Sequence, residues 1–406
     1  MRIDATTLER RLDELYAIGA QPDGGTYRPL YSSAWAAAGE CVERWMRASG
    51  LTVRHDAVGN IWGRVAGTDL GKNIVTGSHI DTVRRGGRLD GALGIVAGLT
   101  AVEALLVTGK PRLPIEVVAI CEEEGSRFAT NFWGSRAITG KIGPEEAASV
   151  RDASGVTIGD AMRERGLDPK RIQTAARDDI DTFVELHIEQ GAVLEAGGRA
   201  LAVVSAIAGG AQLEVVVTGQ ADHAGTTPMN LRRDALVGAA AMIQAIESIT
   251  RALGAPAVAT VGKIEAHPQQ INVVPGSVLF TVDLRHVDDG ARRALGERIQ
   301  SLCRTTASER GLGIEIRTLH ERPPVPMHAE VRGLLERAAA DVGVAAISLV
   351  SGAGHDAQIL AARCKVGMLF VPSMGGRSHC PEEATKPADL ELGTRVLTRA
   401  LELLAY

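Results

Sequence analysis

The feature that most constrains the fold of this chain is residues 77–91, which follow a short apolar strand predicted over 72–77. His79 and Asp81 come at the end of this strand, and Asp90 stands just before a second apolar segment, 91–107. That segment is apolar almost all round, which predicts a buried helix packed on a sheet. A carboxylate at the N-terminus of such a helix is favoured by the free backbone N–H groups and the helix dipole. Histidine and aspartate in this order indicate a metal site at the rim of the sheet.

Two later apolar runs end in the same kinds of residue. Residues 114–120 lead into the glutamate run 122–124, and residues 182–187 end at His187. A lone histidine is more often structural than a ligand, and a run of glutamates is more often a solvated loop. If the strands are parallel, however, their carboxyl ends meet at one edge of the sheet. The coincidence of three such strand ends favours a shared metal site over three unrelated structural features.

The composition predicts an ordinary globular protein. With 406 residues, 45% hydrophobic content and 23% charged residues, the chain can bury a large core and is expected to form about two domains. A net charge of -5 and the absence of a basic tract argue against a nucleic-acid partner. We find no apolar core of signal-peptide length and no later run long and uninterrupted enough to span a bilayer, so we expect a cytoplasmic location and no membrane partner. Five scattered cysteines argue against a disulfide framework, which leaves His, Asp and Glu as metal ligands.

The pattern of apolar and polar residues changes near residue 210. From there the patterns predict strands and helices in the order β-α-β-β-α-β, which is typical of a ferredoxin-like unit. We therefore predict an α/β protein with a mixed-sheet catalytic domain, residues 1–209 and 325–406, and an inserted ferredoxin-like domain, residues 210–324. The predicted elements of the insert are strands 213–218, 257–265, 277–286 and 313–319 and helices 232–253 and 289–309.

The residue types at the strand ends suit a two-metal site. Two divalent ions about 3.5–4 Å apart need a bridging carboxylate and terminal His, Asp or Glu ligands, and they lower the pKa of a shared water toward neutrality. Asp81 has the position expected of a carboxylate that fixes the tautomer of a ligand histidine, and adjacent glutamates can give one ligand and one general base. His223 lies in a turn of small residues in the insert, where a loop histidine could reach a substrate. The side chains that can supply the metal ligands are those of His79, Asp90, Glu124, His187 and His379.

Several motifs resemble one family. The sequence is similar to the allantoate amidohydrolase, N-carbamoyl-L-amino acid hydrolase and β-ureidopropionase family, which belongs to the dinuclear aminoacylase and carboxypeptidase superfamily. The similarity extends over nearly the whole chain. The segments that carry it are GSHIDTV (77–83), GGRLDG (86–91), EEEGSRF (122–128), GSR (134–136), ELHIEQG (185–191) and DHAGTTP (222–228).

The resemblance implies a role for each candidate residue. It implies two divalent ions, zinc or manganese, with Asp90 bridging them, and it makes Glu123 the general base. The inserted domain would act as a lid and as the homodimer interface, and His223 would reach the site of the other subunit to stabilise the oxyanion. Arg285 suits a carboxylate through its planar fork. By the same resemblance, the first ion is held by His79, Asp90 and His187, the second by Asp90, Glu124 and His379, and the substrate by Gln190, His223, Asn272, Arg285 and the Gly352-Ala353-Gly354 loop.

These implications predict a metal-dependent amidohydrolase that opens the ureido group of a small carboxylate and releases ammonia and carbon dioxide. Allantoate is the first candidate substrate because residues 131–135 resemble the allantoate branch, and N-carbamoyl-L-amino acids are a close second. The alternatives are a dipeptidase or aminoacylase with the same metals, and a metal-free binding or scaffolding relative. One departure bears on the substrate: similar proteins often carry an aromatic or basic residue just after the loop into the lid, whereas residues 207–213 here read IAGGAQL.

Overall fold

The computed structural model describes residues 3–406 of the chain, which divides into two compact units. The first contains the described residues up to Ser205 together with Met327–Tyr406, and the second is Ala206–Pro326. The boundaries expected from the sequence, 209/210 and 324/325, lie close to these limits. The catalytic and lid roles given to the two units stay predictions.

The first part of the chain alternates helices and strands. Asp4 and Ser32 cap the N-termini of helices α1 and α2, and their side chains accept hydrogen bonds from backbone N–H groups of the first turn. The elements in chain order are α1 (Ala5–Ala17), α2 (Ser33–Ala48), β1 (Thr52–His55), β2 (Ile61–Val65), β3 (Asn73–His79), α3 (Ala92–Leu106), β4 (Ile115–Ile120), α4 (Trp133–Ile138), α5 (Pro144–Ser149), α6 (Ile158–Glu164), β5 (Ile180–Ile188), α7 (Val193–Ala196) and β6 (Ala202–Ile207).

The rest of the chain forms the second unit and then returns to the first. The second unit contains β7 (Gly209–Thr218), β8 (Asp222–His223), α8 (Ala235–Leu253), β9 (Val258–Thr260), β10 (Ile264–His267), β11 (Val273–Val274), β12 (Ser277–His286), α9 (Asp289–Glu309), β13 (Gly313–Arg322) and β14 (Val325–Pro326). After it come α10 (Ala329–Val342), β15 (Ile347–Ser351), α11 (Asp356–Leu360), β16 (Lys365–Val371) and α12 (Pro387–Ala405).

A mixed sheet forms the centre of the first unit. Its strands run in the order β1-β2-β4-β3-β5-β16-β6. The inner strands β4, β3, β5 and β16 are parallel, whereas β1, β2 and β6 pair antiparallel with their neighbours. The prediction of a mixed α/β fold is confirmed. Because β3, β4 and β5 are parallel, their carboxyl ends meet at one edge, as the sequence analysis expected.

Helix α3 is buried along nearly its whole length and packs on β3, α1 and α12. Two glycines allow it to lie close to the sheet. A Cβ atom at Gly94 would lie 2.5 Å from Cβ of Ser78, and one at Gly98 would lie 3.0 Å from Cγ2 of Thr76. This close packing brings the N-terminus of α3, which follows Asp90, to the carboxyl end of β3.

The second unit has its own five-stranded antiparallel sheet, in the order β10-β12-β7-β13 with β9 also paired to β12. Helices α8 and α9 pack on this sheet around a separate apolar core. The single strand predicted over 257–265 is wrong in detail, because β9 and β10 pair with different parts of β12 and Gly262 lies in the break between them.

Helix α8 is long and apolar enough, by length and composition, to cross a membrane. No run long and uninterrupted enough to span a bilayer was predicted, and this helix, which contains Glu247 and Arg251, is the one among the described residues that meets the limit. The helix buries a face that includes Gly238, Met242 and Ile246 in the core of its unit. Because an ordinary core helix meets the same criterion, this single helix is weak evidence for a membrane span.

Candidate metal centre

The carboxylate of Asp90 lies between three histidines at the sheet edge. Its Oδ1 atom is 3.2 Å from Nε2 of His79 and 3.2 Å from Nε2 of His187. Its Oδ2 atom is 3.2 Å from Nε2 of His379. The two oxygens of one carboxylate therefore face two different sets of side chains, which is the arrangement a bridging ligand requires.

The ring orientation of two of these histidines is set by hydrogen bonds at their other nitrogen. Nδ1 of His187 is 2.9 Å from the carbonyl oxygen of Ile188. Nδ1 of His79 is 3.2 Å from the carbonyl oxygen and 3.3 Å from Oδ1 of Asp81. An Nδ1–H group that donates to an oxygen leaves a lone pair on Nε2, and this is how metal-binding histidines are commonly held.

Asp81 also holds the glutamate loop that follows β4. Its two carboxylate oxygens accept hydrogen bonds from the backbone N–H groups of Glu123, at 3.0 Å, and Glu124, at 3.2 Å. Asp81 is fully buried. The sequence predicted only its contact with His79, so the structure adds a second role, in which Asp81 fixes the backbone of both glutamates.

The two glutamates lie on the same side of the site as His79 and His379. Oε1 of Glu124 is 3.4 Å from Nε2 of His379. Potential ligand atoms of Glu123, Glu124 and His79 all lie within 4.8 Å of one another. Glu122 points away and accepts hydrogen bonds from the backbone N–H groups of Gly125 and Trp133, which shapes the loop.

The acidic groups of the site perturb one another strongly. Burial, and then the charge of Glu124, raise the pKa of Glu123 well above its usual range. Burial and the charge of Asp90 raise the pKa of Glu124 to about 7. Burial opposes ionisation of Asp90 too, yet its hydrogen bonds to His187, His379 and His79 hold its pKa well below the usual range. Carboxylates packed this closely favour binding of protons or of a cation.

The described residues offer two ligand groups that share Asp90. One is His79, Asp90 and His187, and the other is Asp90, Glu124 and His379, each with its ligand atoms within 4.8 Å of one another. Ligands about 2.0–2.1 Å from a tetrahedral zinc ion lie about 3.4 Å apart, close to the 3.2–3.4 Å found between these atoms. Imidazole and carboxylate donors of this kind suit zinc or manganese.

Gln190 reaches the middle of the site. Its backbone has a left-handed conformation, with φ 59°. Its Nε2 atom donates to Oδ2 of Asp90 at 2.7 Å and lies 3.3 Å from Nε2 of His379. A cavity of about 500 Å³ beside His379 is lined by Gln190, Ala353 and Ser378, among others.

The loop before α11 contains the predicted contacts Gly352 and Gly354, and it adds His355, for which no role was predicted. Gly352 is exposed and Gly354 half-buried, whereas His355 is buried with its ring 4.6 Å from that of His187. Nε2 of His355 is 2.9 Å from Oγ of Ser351. Burial and the charge of His187 lower the pKa of His355 well below its usual range, so this imidazole is neutral. The signal was available, because a histidine and an aspartate follow an apolar strand here as they do at residues 77–81.

In the second unit, the structure brings His223 and Asn272 together. Strands β8 and β11 pair through His223 and Val273, and the carbonyl group of Asn272 accepts a hydrogen bond from the N–H group of Ala224 at 2.9 Å. Nδ1 of the exposed His223 accepts from the N–H groups of Gly225, at 3.0 Å, and Thr226, at 3.2 Å. In the neutral ring the proton therefore lies on Nε2, which makes Nε2–H the donor that His223 can offer.

Arg285 lies on β12 of the same unit and is paired with Asp283. Its Nε atom is 2.8 Å from Oδ1 and its Nη2 atom 3.1 Å from Oδ2 of that aspartate. The pair is partly buried. The signal for this partner was available, because residues 283 and 285 lie on the same face of the strand predicted over 277–286.

The departure at residues 207–213 has a local packing reason at Gly209. A Cβ atom at this position would lie 2.5 Å from the backbone nitrogen of Pro324. Gly210 pairs with Arg285 in the register of β7 and β12, and a Cβ atom there would make only ordinary contacts. Close approach of the backbone therefore requires glycine at position 209, whereas the packing at position 210 does not.

The chain is similar to several known proteins over nearly its whole length. The allantoate amidohydrolase of Escherichia coli (strain K12) is 41% identical over 402 residues, which cover 98% of this chain and 98% of that protein. The N-carbamoyl-L-amino-acid amidohydrolase of Paenarthrobacter aurescens is 41% identical over 407 residues, with coverage of 99% and 98%. The crystal structure of an amidase of the hydantoinase/carbamoylase family from Burkholderia multivorans has a TM-score of 0.94 at 35% identity, covering 100% of this chain and 98% of that one. Residues 75–403 match Peptidase family M20/M25/M40, and the chain belongs to this family.

Proposed function

We propose that the chain is an amidohydrolase with two divalent ions that hydrolyses the ureido group of a small carboxylate. The observation that carries this proposal is the carboxylate of Asp90, whose two oxygens face two separate groups of metal ligands. We assign the first ion to His79, Asp90 and His187 and the second to Asp90, Glu124 and His379, with zinc or manganese as the metal. When bound, such ions polarise a carbonyl group and lower the pKa of a water molecule.

Glu123 is the proposed general base. It lies beside Glu124, and its backbone is fixed by Asp81. In the proposed reaction its carboxylate takes a proton from water and passes it to the leaving nitrogen. One C–O bond forms and the C–N bonds of the ureido carbon break, so that one water converts the ureido acid into an amine, ammonia and carbon dioxide.

The substrate contacts are proposed for both units. Gln190 and the loop of Gly352 and Gly354 would contact the ureido group from the first unit, beside the cavity near His379. Arg285 would bind the substrate carboxylate with its fork aligned by Asp283, and Asn272 would contact the ureido group. On the family resemblance we also propose a homodimer through the second unit, in which Nε2–H of His223 of the partner subunit stabilises the oxyanion.

Allantoate and N-carbamoyl-L-amino acids are the two candidate substrates, in that order. Residues 131–135, on which the preference for allantoate rests, support the glutamate loop, since the N–H group of Phe132 donates to the carbonyl group of Glu123 at 3.0 Å. Relatives named for each activity are 41% identical to this chain. The pocket, rather than overall similarity, must therefore decide between them. We keep a cytoplasmic location as part of the proposal.

An ammonia-release screen tests the function. Purified protein supplied with manganese or zinc is assayed for ammonia release from allantoate, N-carbamoyl-L-amino acids and 3-ureidopropionate, and in parallel for release of free amino acids from dipeptides. We expect turnover of at least one ureido acid. Hydrolysis of dipeptides with none of the ureido acids would favour the dipeptidase alternative, and protein that binds no metal and is not activated by added metal would favour a binding or scaffolding role.

A further inference from the structure

Glu383 is a buried glutamate with no role in the proposed reaction, yet it contacts two separate parts of the metal centre. Its side chain is 4% exposed. Its Oε1 atom accepts hydrogen bonds from the backbone N–H groups of Leu89, at 2.8 Å, and Asp90, at 3.0 Å. These residues are 294 and 293 positions away in the sequence. One carboxylate oxygen thus holds the backbone of the bridging residue.

The other oxygen of Glu383 holds the loop that carries His379. Oε2 accepts a hydrogen bond from Oγ of Ser378 at 2.7 Å, and the same hydroxyl group lies 3.1 Å from Oδ2 of Asp90. Ser378 directly precedes His379. Glu383 therefore joins the backbone of Asp90 to Ser378, the residue before His379 of the second ligand group.

The sequence around Asp90 is adapted to this contact. A Cβ atom at Gly87 would lie 2.2 Å from Oε1 and 2.3 Å from Cδ of Glu383. The glycine at position 87 therefore leaves the space that the carboxylate of Glu383 occupies. Gly87 and Glu383 form a matched pair, in which a change at either position disturbs the same hydrogen bonds.

The two ligand groups depend on this contact to different degrees. His79 and His187 lie in β3 and β5 and their Nδ1 atoms bond to Asp81 and Ile188. His379 lies in a loop, has a left-handed backbone with φ 56°, and its side chain is 47% exposed. A ligand that no strand holds must be positioned by its loop contacts.

Asp90 has support besides Glu383. Its carbonyl group accepts a hydrogen bond from the N–H group of Ala92 at 2.7 Å, and that of Leu89 accepts one from Leu93 at 2.8 Å. These bonds belong to the first turn of α3 and do not involve the loop of His379. Loss of Glu383 should therefore release His379 more than it moves Asp90.

We propose that Glu383 is a positioning residue that assembles the second ligand group by joining the backbone of Asp90 to the loop of His379. The inference rests on the proposed two-metal function. Loss of this contact should weaken binding of the second ion and leave binding of the first ion unchanged.

The test measures metal binding instead of turnover. Metal-free wild-type protein and variants are titrated with manganese or zinc in a calorimeter, and the ions retained per chain are counted by mass spectrometry after gel filtration. For Glu383→Leu we expect the first ion to bind as in the wild type and the second about 10–100-fold more weakly, the range found for residues that orient ligands. Glu383→Gln should bind both ions nearly normally, because its carbonyl oxygen can accept from Leu89 and Asp90 while its amide bonds to Ser378.

A matched control and a second variant complete the experiment. Glu382→Leu removes the neighbouring exposed glutamate, which pairs with Arg377, and should leave both metal affinities unchanged. Gly87→Ala should weaken the second ion as Glu383→Leu does, because it displaces the carboxylate without removing it. Circular dichroism of the metal-free forms shows which variants fold. If Glu383→Leu does not fold, the metal affinities of Gly87→Ala test the proposal in its place.

The possible results separate this inference from the function on which it rests. Wild-type affinity for both ions in the folded Glu383→Leu or Gly87→Ala variant overturns the selective role, and so does equal weakening of both ions. A wild-type protein that binds fewer than two ions instead refutes the two-metal proposal itself.

Discussion

Replacement of Asp81 by alanine should weaken both the fold around the site and its metal affinity. The carboxylate accepts from the buried N–H group of Glu123 and the partly buried N–H group of Glu124, and it lies 3.3 Å from Nδ1 of His79. An unpaired buried N–H group costs about 1–3 kcal/mol, and the partly buried group costs less because water can reach it, so the free energy of unfolding should fall by about 1–5 kcal/mol. The variant also removes the negative charge that faces Arg28, a fully buried guanidinium whose pKa is lowered to about 10 by burial.

Metal affinity should fall for a separate reason, because His79 loses the group that orients its ring. Loss of such a partner typically costs about 10–100-fold in metal affinity. The free energy of unfolding is measured by urea denaturation of the metal-free protein, and the metal affinity by competition with a chelator. Asp81→Asn keeps one acceptor and should give an intermediate result.

The control for Asp81 is Asp69→Ala, which removes an exposed aspartate 3.6 Å from Arg112. Surface ion pairs contribute about 0–1 kcal/mol, so little change is expected there. If Asp81→Ala matched this control in both unfolding and metal affinity, the proposed role of Asp81 in holding His79 and the two glutamates would be refuted.

Three further predictions concern the same site. Glu123→Gln should abolish ammonia release while metal content by mass spectrometry stays at the wild-type level; loss of metal would mean that Glu123 and Glu124 have exchanged roles. Metal added at pH 7 to unbuffered metal-free protein should release protons, measured in a pH-stat. The hydrogen bond to Asp90, although opposed by burial, raises the pKa of His379 to about 9. The proton on His379 therefore stabilises the metal-free fold fully below the unfolded pKa of about 6.5. This contribution is lost as the pH rises through about 9, and metal binding displaces the same proton. Metal affinity should accordingly increase between these pH values, and a flat profile would contradict the assignment. Gly91→Ala should lower metal affinity and the unfolding temperature, because the residue has φ 67° and its Cβ atom would lie 2.5 Å from the ring of His79; an unchanged affinity would argue against this close packing.

Much of the fold could be predicted from local patterns. Helix α3 and strands β3, β4 and β5 follow from runs of apolar residues bounded by polar ones, and each lies within a few residues of its predicted limits. The short helices α4, α5 and α6 and strand β6 were not predicted. Helices of 6 or 7 residues make less than two turns, so their periodicity is too weak to identify.

Some contacts of the candidate site could likewise be predicted from the sequence, and others could not. The sequence alone determined that histidines and carboxylates follow three apolar strands, and the parallel pairing of these strands is a general property of α/β folds that places them at one edge. Only the tertiary structure decided that Glu383 holds Asp90 and that His355 lies against His187. The physical reason is range: helices, strands and their polar ends depend on neighbouring residues, whereas a contact between residues 293 positions apart exists only after the chain has folded.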